Sequence, residues 1–373
     1  MNVTFVNKYY FPPHLGGVEQ SLNLLARSLA SREDTAVRAI VANEGRDRVD
    51  ETLEGVRVTR VPRLLAAAST PIAPSLAAEI RSAAADTDVF HLQFPYPWGE
   101  AAWLAAGAPG PCVLTYHADV VRQRRLMAAY APVLRRVLDR VDRIIVGAPQ
   151  IAEHSPFLAP HAEKCRVVPF AIEEARFAPD PQAEAEVTAA RAAIPGRVVL
   201  FVGRLVYYKG AHVLLEAMRD VDASLVIIGT GPLEGELRER SLALGIGDRV
   251  TWLPPVDDAR LGAWYRAADV FCLPSVARSE AYGLVQLEAH LAGTPVVSTN
   301  LTTGVPFVNA HERTGLIVEP GDAAGLAAAL TRVVGDDALR SELGARARER
   351  VRTEFSVESM VGKTLAVYEE ARR

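Results

Sequence analysis

The chain has 373 residues, enough for two domains of ordinary size. Its content of 49% apolar and 23% charged residues is that of a globular protein, and a net charge of −4 excludes a nucleic-acid binder that works through a basic footprint. Residues 1–7 read as a strand rather than a secretory leader, and no uninterrupted apolar run is long enough to span a bilayer.

From the N-terminus onward, short β-branched runs alternate with Ala/Leu/Arg-rich helical patterns. Strands are predicted at 3–7, 37–41, 56–61, 89–92, 112–116, 143–146 and 166–169, with helices between most of them, including 17–30 and 123–140. The stretch 173–196 is polar and alanine-rich, carries Pro179, Pro181 and Pro195, and reads as a linker. Strands are then predicted at 198–202, 224–228, 250–253, 270–273, 295–298 and 315–318. Helices are predicted at 211–219, 233–244, 258–268, 284–292, 323–334, 338–352 and 357–372. This alternation implies an α/β chain of parallel sheets with helices on both faces. The expected plan is two doubly wound, Rossmann-like domains, 1–172 and 197–355, with a final helix at 356–373 packing back towards the first. Such sheets bind ligands beyond the carboxyl ends of their strands, so two of them facing each other would hold a ligand in the cleft between. Cys112, Cys165 and Cys272 lie in apolar runs without metal-ligand spacing and read as small buried hydrophobes in a reducing compartment, the cytoplasm.

Four loops carry the chemistry. Gly16-Gly17-Val18-Glu19 follows the first strand and opens the first helix. It is either a glycine loop that lets backbone approach an anion at a helix start, or a tight turn whose Glu19 complements the helix dipole. Its spacing is not GxGxxG. FVGRLVYYKG, 201–210, places Arg204 just past a buried strand and Lys209 ahead of Gly210 and the next helix. Two cations at that end of a parallel sheet suit a diphosphate, Arg through forked hydrogen bonds and Lys as a point charge; the alternative is a pair of solvated loop charges. Gly229-Thr-Gly-Pro232 reads equally as a turn against a nucleotide or as an ordinary strand-to-helix turn. SEAYGLVQLEAH, 279–290, puts Glu280 on a loop that turns at Gly283, and Glu288 about one turn inside the helix that follows. Carboxylates at two heights beside the free N–H groups of a helix start can grip a ligand with hydroxyls on either side of a diphosphate, as in a sugar nucleotide. The plain alternative is a dipole-favouring acid plus one exposed helix glutamate. Asp86-Thr-Asp88 has the D-x-D spelling but falls at a strand start, the wrong end of the sheet, so no metal site is expected there.

Taken together, the E-x7-E spacing of Glu280 and Glu288, the Gly203-Arg204…Lys209-Gly210 element, the double glycine and the two-domain alternation resemble the retaining glycosyltransferases of family 4, with the GT-B fold. The resemblance covers nearly the whole chain. TYHADVVRQ at 115–123, HLQFPYPW at 91–98 and NLTTGVP at 300–306 look like the bacterial mannosyltransferase-like branch that builds surface polysaccharides or glycolipids. The resemblance implies that Arg204 and Lys209 hold the donor diphosphate, Glu280 meets the donor sugar hydroxyls and Glu288 the ribose. Backbone at Tyr282, Gly283 and Leu284 would approach the sugar and phosphates, and Gly16 and Gly17 would face the diphosphate from the other domain. His117 would sit near the transferred sugar, with Asp119 either orienting it or binding an acceptor hydroxyl, and Val256, within 252–260, would line the base pocket. Pro169-Phe-Ala-Ile172 departs from the Asn-Gly that many relatives carry after the proline, a change at the hinge. By the same resemblance the donor is GDP-mannose, the anomeric configuration is retained, and cationic side chains act without metal or other cofactor.

On the acceptor side, a glycan, glycolipid or lipid-linked partner is implied. From Asp119 to Arg143 the chain carries seven arginines (122, 124, 125, 135, 136, 140, 143) against three aspartates (119, 139, 142). Leu126, Met127, Tyr130, Leu134, Val137 and Leu138 form an apolar face there. Such a helix either rests on an anionic membrane surface, as a peripheral protein on its inner face, or is an ordinary amphipathic helix with a solvated basic side. Nucleic acid is not an expected partner. The competing functions are a UDP-sugar-dependent transferase acting on a soluble small molecule, a GT-B sugar-nucleotide epimerase, a phosphorylase and a non-catalytic sugar-nucleotide-binding subunit.

Overall fold

The structure, a computed structural model, describes residues 1–12, 16–67, 70–119 and 124–373. These form two compact units, Met1–Ala171 with Val357–Arg373, and Ile172–Ser356.

The first unit contains β1 (Asn2–Asn7), β2 (Ala36–Ala42), β3 (Val49–Leu53), β4 (Val56–Val61), β5 (Leu65–Ala67), β6 (Thr70–Ile72), β7 (Val89–Phe94), β8 (Cys112–Tyr116), β9 (Arg143–Val146) and β10 (Cys165–Val167). Its early helices are α1 (Gly17–Ala30), α2 (Leu76–Ala83), α3 (Pro97–Ala105), α4 (Arg124–Arg140) and α5 (Pro149–His154). Eight strands form one sheet in the order β10-β9-β8-β7-β1-β2-β4-β3, parallel except for β3, which pairs antiparallel with β4. β5 and β6 make a separate hairpin. The sequence pattern does not reveal β3, because VDETL is a half-exposed edge strand with no apolar run. It is joined to β4 by Glu54-Gly55, both at positive φ, the geometry of a two-residue hairpin turn. α1 buries Leu22, Leu25, Ala26 and Leu29 in one core with Val3, Phe5, Val37 and Val41. Emptying such a position, as in Leu29→Ala, costs ~2–5 kcal/mol.

α4 differs from the membrane-facing reading of its apolar side. Met127, Leu134, Val137 and Leu138 are buried in the unit, and Leu126 alone of the large apolar set is well exposed, at 55%. Arg135, Arg136 and Arg140 remain on the exposed side. Arg122 and the side chains of Arg124 and Arg125 lie outside the described residues.

The second unit holds β11 (Val198–Val202), β12 (Ser224–Ile228), β13 (Val250–Leu253), β14 (Val270–Leu273), β15 (Val296–Thr299) and β16 (Gly315–Val318), all parallel, in the order β13-β12-β11-β14-β15-β16. Its helices are α6 (Pro181–Ala192), α7 (Ala211–Ala217), α8 (Glu234–Ala243), α9 (Asp258–Ala267), α10 (Val285–Ala292), α11 (Val305–Val308), α12 (Ala323–Gly335) and α13 (Asp337–Glu354). β11, VVLFV, is buried throughout, as a central parallel strand must be. Val199 and Phe201 join the core on one face, and Val198, Leu200 and Val202 the core on the other.

The stretch 173–196 is not a linker. It contains a short 3₁₀ turn, Glu174–Phe177, and α6, both within the second unit. The prolines mislead here, since Pro181 opens the helix while the Asp180 carboxylate accepts from the Ala183 N–H at 2.8 Å. Ala183 and Val187 are buried, and Arg266 and Arg260 of α9 pair with Glu184 and Glu186. The last helix, α14 (Val357–Ala371), belongs to the first unit, where Met360, Val361, Val367 and Tyr368 share the core of α1 and β1.

Candidate active site

In the second unit, chain order reverses beside β11: β12 and β13 lie on one side of it and β14 on the other. The loops that leave β11 and β14 therefore diverge from neighbouring carboxyl ends, the place where open parallel sheets receive ligands. Those loops carry Arg204, Lys209 and Glu280. They are fastened together by backbone, with the Val276 N–H donating to the Tyr208 carbonyl at 2.8 Å. Gly210 makes the approach possible. It stands at φ +72°, and a Cβ there would lie 1.9 Å from the Pro274 carbonyl oxygen.

This closeness brings Lys209 and Glu280 together. Their side chains are 12% and 9% exposed and form an ion pair of 2.7 Å. Ser275 donates its hydroxyl to the same Glu280 oxygen at 3.1 Å. Glu280 thus takes its basic partner from the loop that leaves the neighbouring strand. Arg204 is exposed and makes no ion pair with a described residue. Gly283, at φ +72°, then turns the chain into α10. Tyr282 is buried and Leu284 stands at the helix N-cap; the Gln286 and Leu287 N–H groups donate to the Gly283 and Leu284 carbonyls, each at 2.9 Å. Gly229-Thr-Gly-Pro232 serves packing: the Leu205 N–H donates to the Thr230 carbonyl at 2.9 Å.

Glu288 lies in the first turn of α10. Tyr265 of α9 donates to it at 2.8 Å. Burial raises its carboxyl above the ordinary value, opposed by the Tyr265 hydrogen bond and the Arg176 guanidinium. Arg176 is itself held by Asp258 at 2.9 Å. Val256, on the loop after β13, is partly buried against the core that contains Trp264 and Leu273. Lys209, Glu280, Tyr282, Gly283, Leu284 and Glu288 are thus gathered at one end of one sheet, with Arg204 and Val256 on adjoining loops.

The first unit carries the other candidates. Gly16 is the N-cap of α1 and Gly17 its first residue, both exposed; the Gly16 carbonyl accepts from the Gln20 N–H at 2.9 Å. His117 follows β8 directly. Its Nε2 pairs with the Gln93 side-chain oxygen at 2.8 Å, and its ring stacks on Phe170 with centroids 5.1 Å apart. Burial lowers its pKa to about 4, so the imidazole is neutral at physiological pH. Asp119 is not the group that holds this ring. Its Oδ1 accepts from Tyr116 and from Ser155, each at 2.7 Å. Asp88 accepts from the Asn2 N–H at 2.7 Å at the amino end of the sheet, a structural use of the D-x-D spelling. Cys112 and Cys272 are buried and Cys165 half-buried, with no disulfide among them.

Sequence reasoning missed Gln93, Ser275, Tyr265 and Arg176. Gln93 alone left a signal, since it alternates with His91 on a strand within HLQFPYPW. Arg176 lies in the polar, proline-containing stretch 173–196, whose composition gives no sign of a site.

Residues 189–350 match the family described as Glycosyl transferases group 1, and residues 15–176 that described as Glycosyltransferase Family 4. The chain is 33% identical to the D-rhamnosyltransferase WbpZ of Pseudomonas aeruginosa, over 95% of this chain and 92% of that one. It is 29% identical to the O-antigen chain mannosyltransferase C of Escherichia coli, over 99% and 98%. Among solved structures, a sucrose-phosphate synthase from Thermosynechococcus elongatus superposes with a TM-score of 0.81 at 24% identity, covering 99% of this chain and 98% of that one, a likeness of fold.

Proposed function

The chain belongs to the GT-B glycosyltransferases of family 4, and from that premise we propose that it transfers mannose, with retention and without a metal ion, from GDP-mannose to a surface glycan or lipid-linked acceptor. The observation that carries this reading is the Lys209–Glu280 pair at the carboxyl ends of β11 and β14. Breaking the bond between sugar and diphosphate leaves negative charge on phosphate and positive charge on the sugar carbon. Lys209, Arg204 and the start of α10 offset the first, the work a divalent cation does elsewhere. Lys209 exchanges its carboxylate partner for phosphate, and Glu280 is released to accept from sugar hydroxyls. Glu288, steadied by Tyr265, takes the ribose, and Val256 lies against the base. Backbone at Tyr282, Gly283 and Leu284 meets the sugar and phosphates. Gly16 and Gly17 are assigned to the diphosphate, His117 to the transferred sugar and Asp119 to an acceptor hydroxyl.

In the retaining step the acceptor oxygen attacks the face that the diphosphate leaves. The carbon–oxygen bond to phosphate breaks as the new glycosidic bond forms. The acceptor proton passes to the departing phosphate oxygen, so no carboxylate base is needed. The similarity to an O-antigen chain mannosyltransferase supports a growing polysaccharide as acceptor, and to a D-rhamnosyltransferase, a donor of the same ring configuration. No helix among the described residues is long and apolar enough to cross a membrane. A lipid-linked acceptor would be met at the inner membrane surface, through Arg135, Arg136 and Arg140 rather than through the buried apolar side of α4.

The test is nucleotide release from GDP-mannose, GDP-D-rhamnose, UDP-glucose and ADP-glucose, with and without a lipid-linked glycan, in the presence of a chelator. Acceptor-dependent release from a GDP-sugar is expected. Release that needs added magnesium would overturn the metal-independent step, and conversion of the donor without acceptor would favour the epimerase.

A further inference from the structure

Four polar side chains share one buried face of the first unit's sheet. His91 and Gln93 lie on β7, Thr115 on β8, and His117 just beyond it; Gln93 and Thr115 are register partners, and alternate positions along a strand share a face. Their exposures are 0%, 4%, 4% and 7%. Polar groups this deep destabilise a fold unless each finds a partner. Here the partners come from the neighbouring strand and from α14, which arrives from the far end of the chain. His91 Nδ1 meets the Tyr368 hydroxyl at 2.7 Å, and its Nε2 meets the Thr115 hydroxyl at 2.6 Å. His117 Nε2 meets the Gln93 amide oxygen at 2.8 Å. Around them a cavity of about 20 Å³ is lined by Ser21, Gln93, Thr115, His117, Phe170 and Thr364, the last again from α14.

One contact has a consequence for chemistry. An amide oxygen only accepts, so the His117 nitrogen facing Gln93 must carry the proton. Nδ1 is then the bare, accepting nitrogen, and it makes no hydrogen bond to a described residue. Phe170 holds the plane of the ring, so the direction of that lone pair is set as well. Burial keeps both imidazoles neutral, and a charge on His117 would further oppose one on His91.

We propose that Gln93 is a positioning residue that locks His117 as the Nε2–H tautomer and presents Nδ1 to accept a hydrogen bond from a hydroxyl of the transferred sugar, with Tyr368 of α14 anchoring the arrangement through His91 and Thr115. The proposal rests on the glycosyltransferase reading of His117 and adds to it the ring's protonation state, the atom that meets the sugar and the part of the chain that fixes both. Loss of Gln93 would leave two tautomers free to interchange, and only one of them can accept at Nδ1. Loss of the Tyr368 hydroxyl would leave a fully buried nitrogen of His91 without its partner.

The direct test is ¹⁵N NMR of histidine-labelled full-length protein without donor, followed by steady-state transfer. His117 should show a single Nε2–H form that stays neutral down to pH 5. Gln93→Leu should lose that single form and lower kcat/KM about tenfold, mainly in kcat. Gln93→Glu keeps the acceptor and adds a negative charge, so it should keep the tautomer, retain most activity and move the acid limb of the pH–rate profile upward. Tyr368→Phe should shift the His91 resonances and lower kcat about threefold. Thermal melts of the three variants separate these effects from unfolding, and Gln93→Glu answers the question if Gln93→Leu does not fold. An Nδ1–H form in the unmodified protein overturns the proposal, as does a Gln93→Leu spectrum or turnover that matches it. Failure of the glycosyltransferase reading is distinct, because it shows as an unmodified protein that releases nucleotide from no sugar nucleotide.

Discussion

The two units put opposite kinds of polarity at the carboxyl ends of their sheets. In the second unit an acid and a base meet across loops, as Lys209 and Glu280 do at 2.7 Å. In the first, the side chains are neutral and built into the sheet, as His91, Gln93, Thr115 and His117 are. Under the proposed function, the difference matches two chemical tasks. A leaving diphosphate needs charge that can change partners, and an ion pair carried on two loops can exchange its carboxylate for phosphate. A sugar hydroxyl needs a fixed donor or acceptor, and buried side chains held by hydrogen bonds from paired strands and α14 provide that rigidity.

The sharpest way to break this contrast is to remove charge from the second unit. Lys209→Ala should lower kcat by ~10²-fold or more, the scale of losing one charge-stabilising donor. Adding Glu280→Gln to it should cost much less than the product of the two single losses, because the residues act as a pair. Near-normal transfer by Lys209→Ala would remove the assignment.

Acid and base probe the neutral unit through its buried titratable groups. Glu100 is buried on α3, with one oxygen accepting from the Tyr96 N–H at 2.9 Å and the other without a partner among the described residues. Burial raises its pKa to about 8, while His91 and His117 fall to about 3 and about 4. The histidines are neutral when folded and charge first in the unfolded chain, so their contribution is complete above about pH 6.5 and declines as pH falls towards about 4. Glu100 is protonated when folded and ionises first in the unfolded chain, so its contribution is complete below about pH 4.5 and declines as pH rises towards about 8. Between those limits two histidine protons oppose one carboxyl proton. The unit should therefore be most stable near pH 6.5 and lose about 1.4 kcal/mol per unit of acidification below it. Glu100→Gln should raise stability by roughly 2–4 kcal/mol at pH 8 and by almost nothing at pH 4.5. Denaturant titrations at those two pH values check it, and an equal effect at both would refute the buried neutral carboxyl.

A smaller effect tests the nucleoside end. Tyr265→Phe removes the hydroxyl that donates to Glu288 and should weaken GDP binding about tenfold by calorimetry, while kcat at saturating donor stays near normal. The smallest concerns the surface of α4. Replacing Arg135, Arg136 and Arg140 with Gln should reduce sedimentation with anionic vesicles severalfold at low salt, about 1 kcal/mol per cation at most, and leave transfer to a soluble acceptor unchanged. Sedimentation insensitive to salt and to these changes would remove the membrane partner.

Much of the architecture was legible in the residues. β11, β12 and β14 are continuous apolar runs that no other element explains, and α1 and α9 start and end within a residue or so of their expected bounds. Two elements leave no clear signal: the polar edge strand β3, which has no apolar run, and α6, where Pro181 opens a helix instead of breaking the chain. The amphipathic pattern of α4 specifies a helix, but a stripe of Leu and Val does not say whether protein or lipid will cover it; here the unit's own core does.

The sequence by itself determined the alternation of strand and helix, the placing of Gly16, Arg204, Lys209, His117 and Glu280 just beyond strands, and the chemistry these residue types can perform, because side-chain period and loop composition are local properties. Only the tertiary structure decided who meets whom. Glu280 reaches Lys209 because β11 and β14 are neighbours in the sheet, His117 takes its proton's direction from Gln93 because β7 and β8 pair in one register, and His91 is completed by a tyrosine from the last helix. Those partners lie far apart along the chain. Strand order and register bring them within hydrogen-bonding distance, and neither can be read from a stretch of residues taken alone.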